Sequence, residues 1–144
     1  MPINFYNSNI EFRLREIKVI KKWIEKVILL HGYQVDNLSI IFCSEEEIVR
    51  INSEFLKHNY PTDIITFSYS QEKSIEAELY IALSVVKCNS KIFNQTFKNE
   101  LERVIIHGVL HLLGYNDKTR AQRKVMREAE DKYLKLLHEN VTGI

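Results

Sequence analysis

The sequence predicts an α+β fold in which a small mixed β-sheet of about four strands is covered by about five helices. Two observations carry that expectation. The β-branched and aromatic runs fall before Ala82, whereas apolar residues at helical spacing dominate the rest of the chain. In addition, no Pro/Gly/Ser-rich linker, repeat or low-complexity stretch interrupts the 144 residues, so 1–144 reads as one domain with disorder expected only at its ends.

Leu14, Ile17, Ile20, Ile24, Val27 and Ile28 recur at helical spacing, and Gly32 supplies a stop, which predicts a first helix from Ile10 to His31. Leu38, Ile40 and Phe42 alternate with Ser39, Ile41 and Cys43, a strand apolar on both sides and therefore internal to its sheet. Ser44 followed by Glu47 has the spacing of a capping box, and Glu45 and Glu46 suit the positive end of a helix that should run to about Lys57. Pro61-Thr62-Asp63 breaks the pattern. Strands follow at Ile64–Tyr69 and Glu76–Ala82, then helices at about Ser84–Gln95, Lys98–Leu113 and Lys118–His138. Strand order is not legible at this level.

Hydrophobic residues make up 45% and charged residues 27%, the balance of a soluble globular chain. The formal net charge of +1 means that a nucleic-acid partner would have to be met by a local patch. Cys43 and Cys88 lie in no ligand spacing and read as reduced core thiols rather than as a disulfide framework or a thiolate zinc site. Met1–Phe12 has no secretory pattern, and the longest apolar stretch, Val104–Leu113, falls short of the roughly 18 residues of a membrane span. The expected location is the cytoplasm, with no membrane partner.

The informative segment is ELERVIIHGVLHLLGYND, Glu100–Asp117. Leu101, Val104, Ile105, Ile106, Val109, Leu110, Leu112 and Leu113 cover most of a helix circumference, as on a central helix buried nearly all round. The one polar stripe is Arg103, His107 and His111, whose spacing of four puts both imidazoles on one face, roughly 5–6 Å apart at Cβ. Gly114 is placed to cap the helix and reverse the chain, so that Asp117 turns back toward the histidines. Three protein ligands with a fourth position left to water is the pattern of catalytic zinc. The bland alternative is two satisfied core histidines beside a solvated aspartate. A zinc-peptidase helix would carry Glu beside its first His; Gly108 stands there instead, which argues against peptide hydrolysis and suggests that something approaches the helix closely.

HGVLHLLGYND, together with PTDIITF at Pro61–Phe67 and a C-terminal helix containing MREAE, resembles the YbeY family of bacterial endoribonucleases over about Ile48–Tyr133. The resemblance maps His107, His111 and Asp117 onto that family's three metal ligands, the third of which is usually histidine. Asp117 should give a bound water of higher pKa than a third histidine would. Asn116 is a weaker candidate ligand. The family's arginine ahead of PTD is Leu56 here, leaving Lys57 and His58 as the nearest candidates for its catalytic role. What the resemblance implies is a single-strand-specific, zinc-dependent endoribonuclease acting on ribosomal RNA and the small ribosomal subunit, in 3′-end maturation and quality control. The alternatives are a metallopeptidase and a non-catalytic RNA-binding assembly factor with a structural metal.

RNA contacts are expected from Lys118, Arg120, Arg123, Lys124 and Arg127, beside the metal residues, and from the stripe Arg15, Lys18, Lys22 and Lys26. Phe67, Tyr69 and Tyr115 are candidate stacking residues, although Phe67 fits core packing better. Thr62 and Asp63 are candidates for lining the cleft.

Overall fold

The computed structural model describes residues 2–56 and 62–139, so the catalytic candidates Lys57 and His58 lie outside the described residues. The elements run β1 (Ile3–Ser8), α1 (Ile17–Leu30), β2 (Gln34–Cys43), α2 (Glu45–Leu56), β3 (Ile64–Ser68), β4 (Ser74–Ala82), α3 (Leu83–Ile92), α4 (Phe97–Leu112) and α5 (Arg120–Glu139). They form a four-stranded sheet in the order β1-β2-β4-β3, with β1, β2 and β4 parallel and β3 antiparallel to β4. The α+β expectation of a mixed four-stranded sheet with five helices is met.

The expected first helix began too early. Residues 3–8 form a strand paired with β2, and α1 starts only at Ile17. Asn9 and Glu16 both take positive φ, so the intervening chain cannot continue a helix. Leu14, the stripe residue that precedes α1, nevertheless packs on the core, as do Ile10 and Phe12. A parallel β1–β2 pair needs a crossover, and α1 supplies it.

Strand alternation divides the apolar residues between two faces. Ile3, Leu38, Ile40, Phe42, Ile75, Ala77, Leu79 and Ile81 face α1, α4 and α5 in the main core. The other face contributes Cys43, Ile65 and Ala82 to a smaller cluster with Ile48 and Ile51 of α2. Trp23 of α1 is fully buried and its indole N–H donates to the Tyr133 carbonyl of α5 at 2.8 Å, satisfying the one polar atom that its burial would otherwise strand. Cys43 is buried, but Cys88 is exposed on α3, not in the core as expected.

Helix ends follow local chemistry. The Gly32 and Tyr33 amides close α1 onto the Leu29 and Ile28 carbonyls, and the Gly114 and Tyr115 amides close α4 onto those of His111 and Leu110, with both glycines at positive φ. Ser44 Oγ accepts from the Glu47 amide at 3.1 Å, but the Glu47 carboxylate binds Arg50 and Asn9 instead of reaching back, so only half of the expected capping box forms.

Helix α4 is buried on most sides, as the sequence indicated. Gly108 explains how it seats: a Cβ there would lie 2.6 Å from Ile64 Cδ1 and 3.1 Å from Leu79 Cδ1, so the helix rests directly on β3 and β4. In Gly108→Ala the gain in helix propensity, about 1 kcal/mol, opposes an overpacking cost of about 1–3 kcal/mol. The expected outcome in thermal unfolding is a midpoint a few degrees lower, not higher, because the new methyl must displace Ile64 Cδ1 and press on the fully buried Leu79.

Candidate metal centre

Two turns of α4 present His107 and His111 side by side, and Asp117 returns to them from the loop beyond Gly114. Asp117 Oδ2 lies 3.3 Å from Nε2 of each histidine, and the two Nε2 atoms are 3.1 Å apart. Ligands about 2.0–2.1 Å from a tetrahedral zinc stand roughly 3.3 Å from one another, so the donor set fits such an ion. Among the described residues this is the group of three with metal-ligating spacing.

The protonation pattern supports the same reading. Glu130 of α5 is 5% exposed, and its Oε2 lies 2.6 Å from His107 Nδ1. A carboxylate only accepts, so Nδ1 carries the proton, and when the ring is neutral its Nε2 lone pair points at Asp117 and His111. With His111 in the tautomer that leaves its own Nε2 unprotonated, the three donor atoms converge as the ligands of a cation would. Burial works against a charged His107, yet the Glu130 hydrogen bond, then the charges of Glu130, Asp117 and Asp63, outweigh it and raise its pKa. Glu130 Oε1 accepts from Arg103 at 2.8 Å, and Arg103 also reaches Asp131 at 2.7 Å. Arg103, read as part of the polar stripe, therefore serves as a brace between α4 and α5.

The Asp117 loop is pinned at both ends. Gly114 closes α4 on one side. On the other, Thr119 Oγ1 accepts from the Gln122 amide while Gln122 Oε1 accepts from the Thr119 and Lys118 amides, all at 3.1 Å, which is a reciprocal capping box at the start of α5. Arg123 donates to the Lys118 carbonyl at 2.9 Å, across the same loop.

A cleft of about 270 Å³ adjoins these residues, lined by Asp63, Glu100, Arg103, His107, Asp117, Arg123, Arg127 and Glu130, among others. The Ala82 amide donates to the Asp63 carbonyl at 2.9 Å, tying the entry of β3 to the end of β4. Burial raises the pKa of Asp63, and burial followed by the charge of Asp63 raises that of Glu100. Of the expected RNA contacts, then, Asp63, Arg123 and Arg127 line the cleft. Thr62 is half-buried beside Asp63, and Lys118, Arg120 and Lys124 are exposed near the start of α5.

Other expected residues lie elsewhere. Tyr115 is turned toward α1, its hydroxyl 3.0 Å from His31 Nε2. Phe67 and Tyr69 line the opposite face of the sheet, since Ile64 is the β3 residue that meets α4 and Phe67 points the other way. Arg15 precedes α1, and Lys18, Lys22 and Lys26 are exposed on it, away from the cleft. Asn116 is exposed and outside the ligand group. Sequence reasoning missed Glu130 and Glu100. A signal for Glu130 existed: it stands in the inward stripe Met126, Ala129, Tyr133 and Leu137 of α5, where an unpartnered carboxylate would be costly.

Comparison with known proteins gives a consistent picture. The family model described as Endoribonuclease YbeY matches residues 3–138. A protein of Parabacteroides distasonis named Endoribonuclease YbeY is 40% identical over 139 residues, covering 96% of this chain and 98% of that one. A relative of the same name from Bacteroides thetaiotaomicron is 43% identical over 134 residues, covering 93% and 98%. The solution structure of TM1509 from Thermotoga maritima aligns with a TM-score of 0.67 at 30% identity, covering 94% of this chain and 88% of its own. With its histidine pair, the Asp117 carboxylate and its sheet all inside the matched span, this chain belongs to the YbeY endoribonuclease family.

Proposed function

We propose that this chain is a zinc-dependent endoribonuclease that cuts single-stranded RNA, acting in the cytoplasm on ribosomal RNA of the small subunit, in 3′-end maturation and ribosome quality control. The observation that carries the metal part of this reading is the convergence of His107, His111 and Asp117 with Glu130 hydrogen-bonded behind His107. The RNA part is supported by the shared name of the relatives and by the arginines on one wall of the cleft.

When bound, zinc supplies Lewis acidity and lowers the pKa of water, which suits attack on a phosphodiester. The chain's residues hold and aim that chemistry. His107, His111 and Asp117 provide the ligands. Glu130 keeps the proton of His107 on Nδ1, and Arg103 keeps Glu130 in place. Arg123 steadies the loop that carries Asp117, which leaves Arg127 as the guanidinium best placed to meet the reacting phosphate. Thr62, Asp63, Lys118 and Arg120 are the further RNA contacts of this proposal, and Lys57 and His58 remain its catalytic candidates. Tyr115 is better assigned to positioning the loop through His31.

The peptidase alternative loses support at Gly108, where Ile64 and Leu79 leave no room for a glutamate base. Replacing His111 by alanine is expected to abolish both bound zinc and RNA cleavage while circular dichroism stays native; a variant that kept both would refute the ligand set. Glu130→Gln should keep the fold but weaken zinc binding about 10–100-fold, read by competition with a chromogenic chelator. Arg127→Ala is expected to raise KM for an unstructured RNA about tenfold and to reduce the salt dependence of binding by about one ion, with metal content unchanged.

A further inference from the structure

We infer that Asp63 and Glu100 form a second cation site in the cleft, for a hard divalent ion of the magnesium class whose remaining positions are taken by water and by a phosphate of the bound strand. Glu100 is the residue that carries the inference. It lines the cleft, is only 5% exposed, and among the described residues no hydrogen bond or ion pair satisfies its carboxylate. A carboxylate withdrawn from water without a partner is costly, which is why such groups are found paired or bound to metal. The other buried glutamates, Glu102 and Glu130, each have a cationic side chain beside them, Lys98 and Arg103. Arg103 is already held by Glu130 and Asp131, and Arg127, on the cleft wall, makes no ion pair with Glu100.

Asp63 supplies the second donor. It lines the same cleft and, of the charged neighbours, acts most strongly on Glu100, ahead of Arg103, Arg127 and Glu130. The backbone amides of Asp63 and Ile64 favour its carboxylate as an anion and hold it at the entry of β3. Glu100 and His107 share a face of α4 two turns apart, about 10 Å along the axis. Asp63 acts on both of them from the sheet. The second ion is therefore a neighbour of the first site and shares none of its three ligands.

Donor chemistry separates the two ions. His107 and His111 offer imidazole nitrogen, which suits zinc, whereas Asp63 and Glu100 offer only oxygen, which suits magnesium or manganese. Two carboxylates are too few to enclose calcium, but magnesium keeps several of its waters and is usually held by one or two carboxylates together with phosphates of the substrate. A cleft of about 270 Å³ has room for such a hydrated ion. A phosphate is then drawn to a wall that its carboxylates alone would make repulsive. The phosphate part rests on the nuclease reading; the ion site does not.

The test uses the full chain, isotopically labelled and loaded with zinc, with manganese as a paramagnetic probe of the second ion and a 2′-O-methyl RNA octamer as the source of phosphate. Manganese competes poorly with zinc for nitrogen ligands, so it is expected to leave the zinc content unchanged while broadening most strongly the amides of residues 63–64 and 99–101. Glu100→Gln and Asp63→Asn, each close in shape to its parent, should weaken that binding about tenfold, with zinc content and circular dichroism unchanged. The octamer should tighten manganese about tenfold. The ion site is overturned if manganese leaves those amides sharp, if it acts only by displacing zinc, or if both variants bind it as the parent does. Manganese bound there but indifferent to the octamer overturns the phosphate part and counts against the nuclease reading, so failure of the site and failure of that reading give different results.

Discussion

A carboxylate enclosed between two helices must have partners for its oxygens, and the pairing of Glu130 organises much of what surrounds it. Oε1 takes a hydrogen bond from Arg103 and Oε2 one from His107, both on α4. Leaving such a group buried and unpaired would cost several kcal/mol, so α5 is held to α4 in one register. That register sets which nitrogen of His107 keeps its proton, and it brings the start of α5, with Arg123 and Arg127, beside the candidate ligand residues. Trp23 fixes the far end of the same helix through the Tyr133 carbonyl. Stability and site geometry thus rest on the same contacts.

The parts of this arrangement legible in the sequence were those written in local code. The histidine stripe, the reversal at Gly114, the buried character of α4 and the close approach at Gly108 each follow from spacing or from one residue's stereochemistry. What escaped was what depends on pairing between distant segments. Strand β1 is six residues long and gains its identity only beside β2. Glu130 reads as one more charge on a charged helix until α4 is laid against it. Phe67 and Tyr69 looked available to RNA because sequence reports that an aromatic residue is present but not which face of β3 it occupies. The Thr119 and Gln122 capping box is the exception, a local signal overlooked because the basic residues around it drew attention to charge instead of to helix entry.

Average charge conceals a further division. A net +1 says little about partners, yet Arg123 and Arg127 edge the cleft on one face of the sheet while Glu47 and Glu78 stand beside aromatic rings on the other. The sheet that separates them is four strands wide and apolar on both faces, so the two surfaces share no residues.

The substitution of aspartate for the family's usual third histidine fits this charge pattern. The cleft lining holds four carboxylates, Asp63, Glu100, Asp117 and Glu130, against three guanidiniums, of which Arg103 is bound to Glu130 and Asp131 and Arg123 reaches across to a loop carbonyl. By itself that balance does not favour a polyanion: burial raises the pKa of Asp63, and burial followed by the charge of Asp63 raises that of Glu100. A divalent ion among His107, His111 and Asp117 would reverse the sign of the site. Under the proposed metal-dependent reading, an ion held there would serve to admit RNA as well as to cut it, which a purely structural metal, remote from the substrate's charge, would not do.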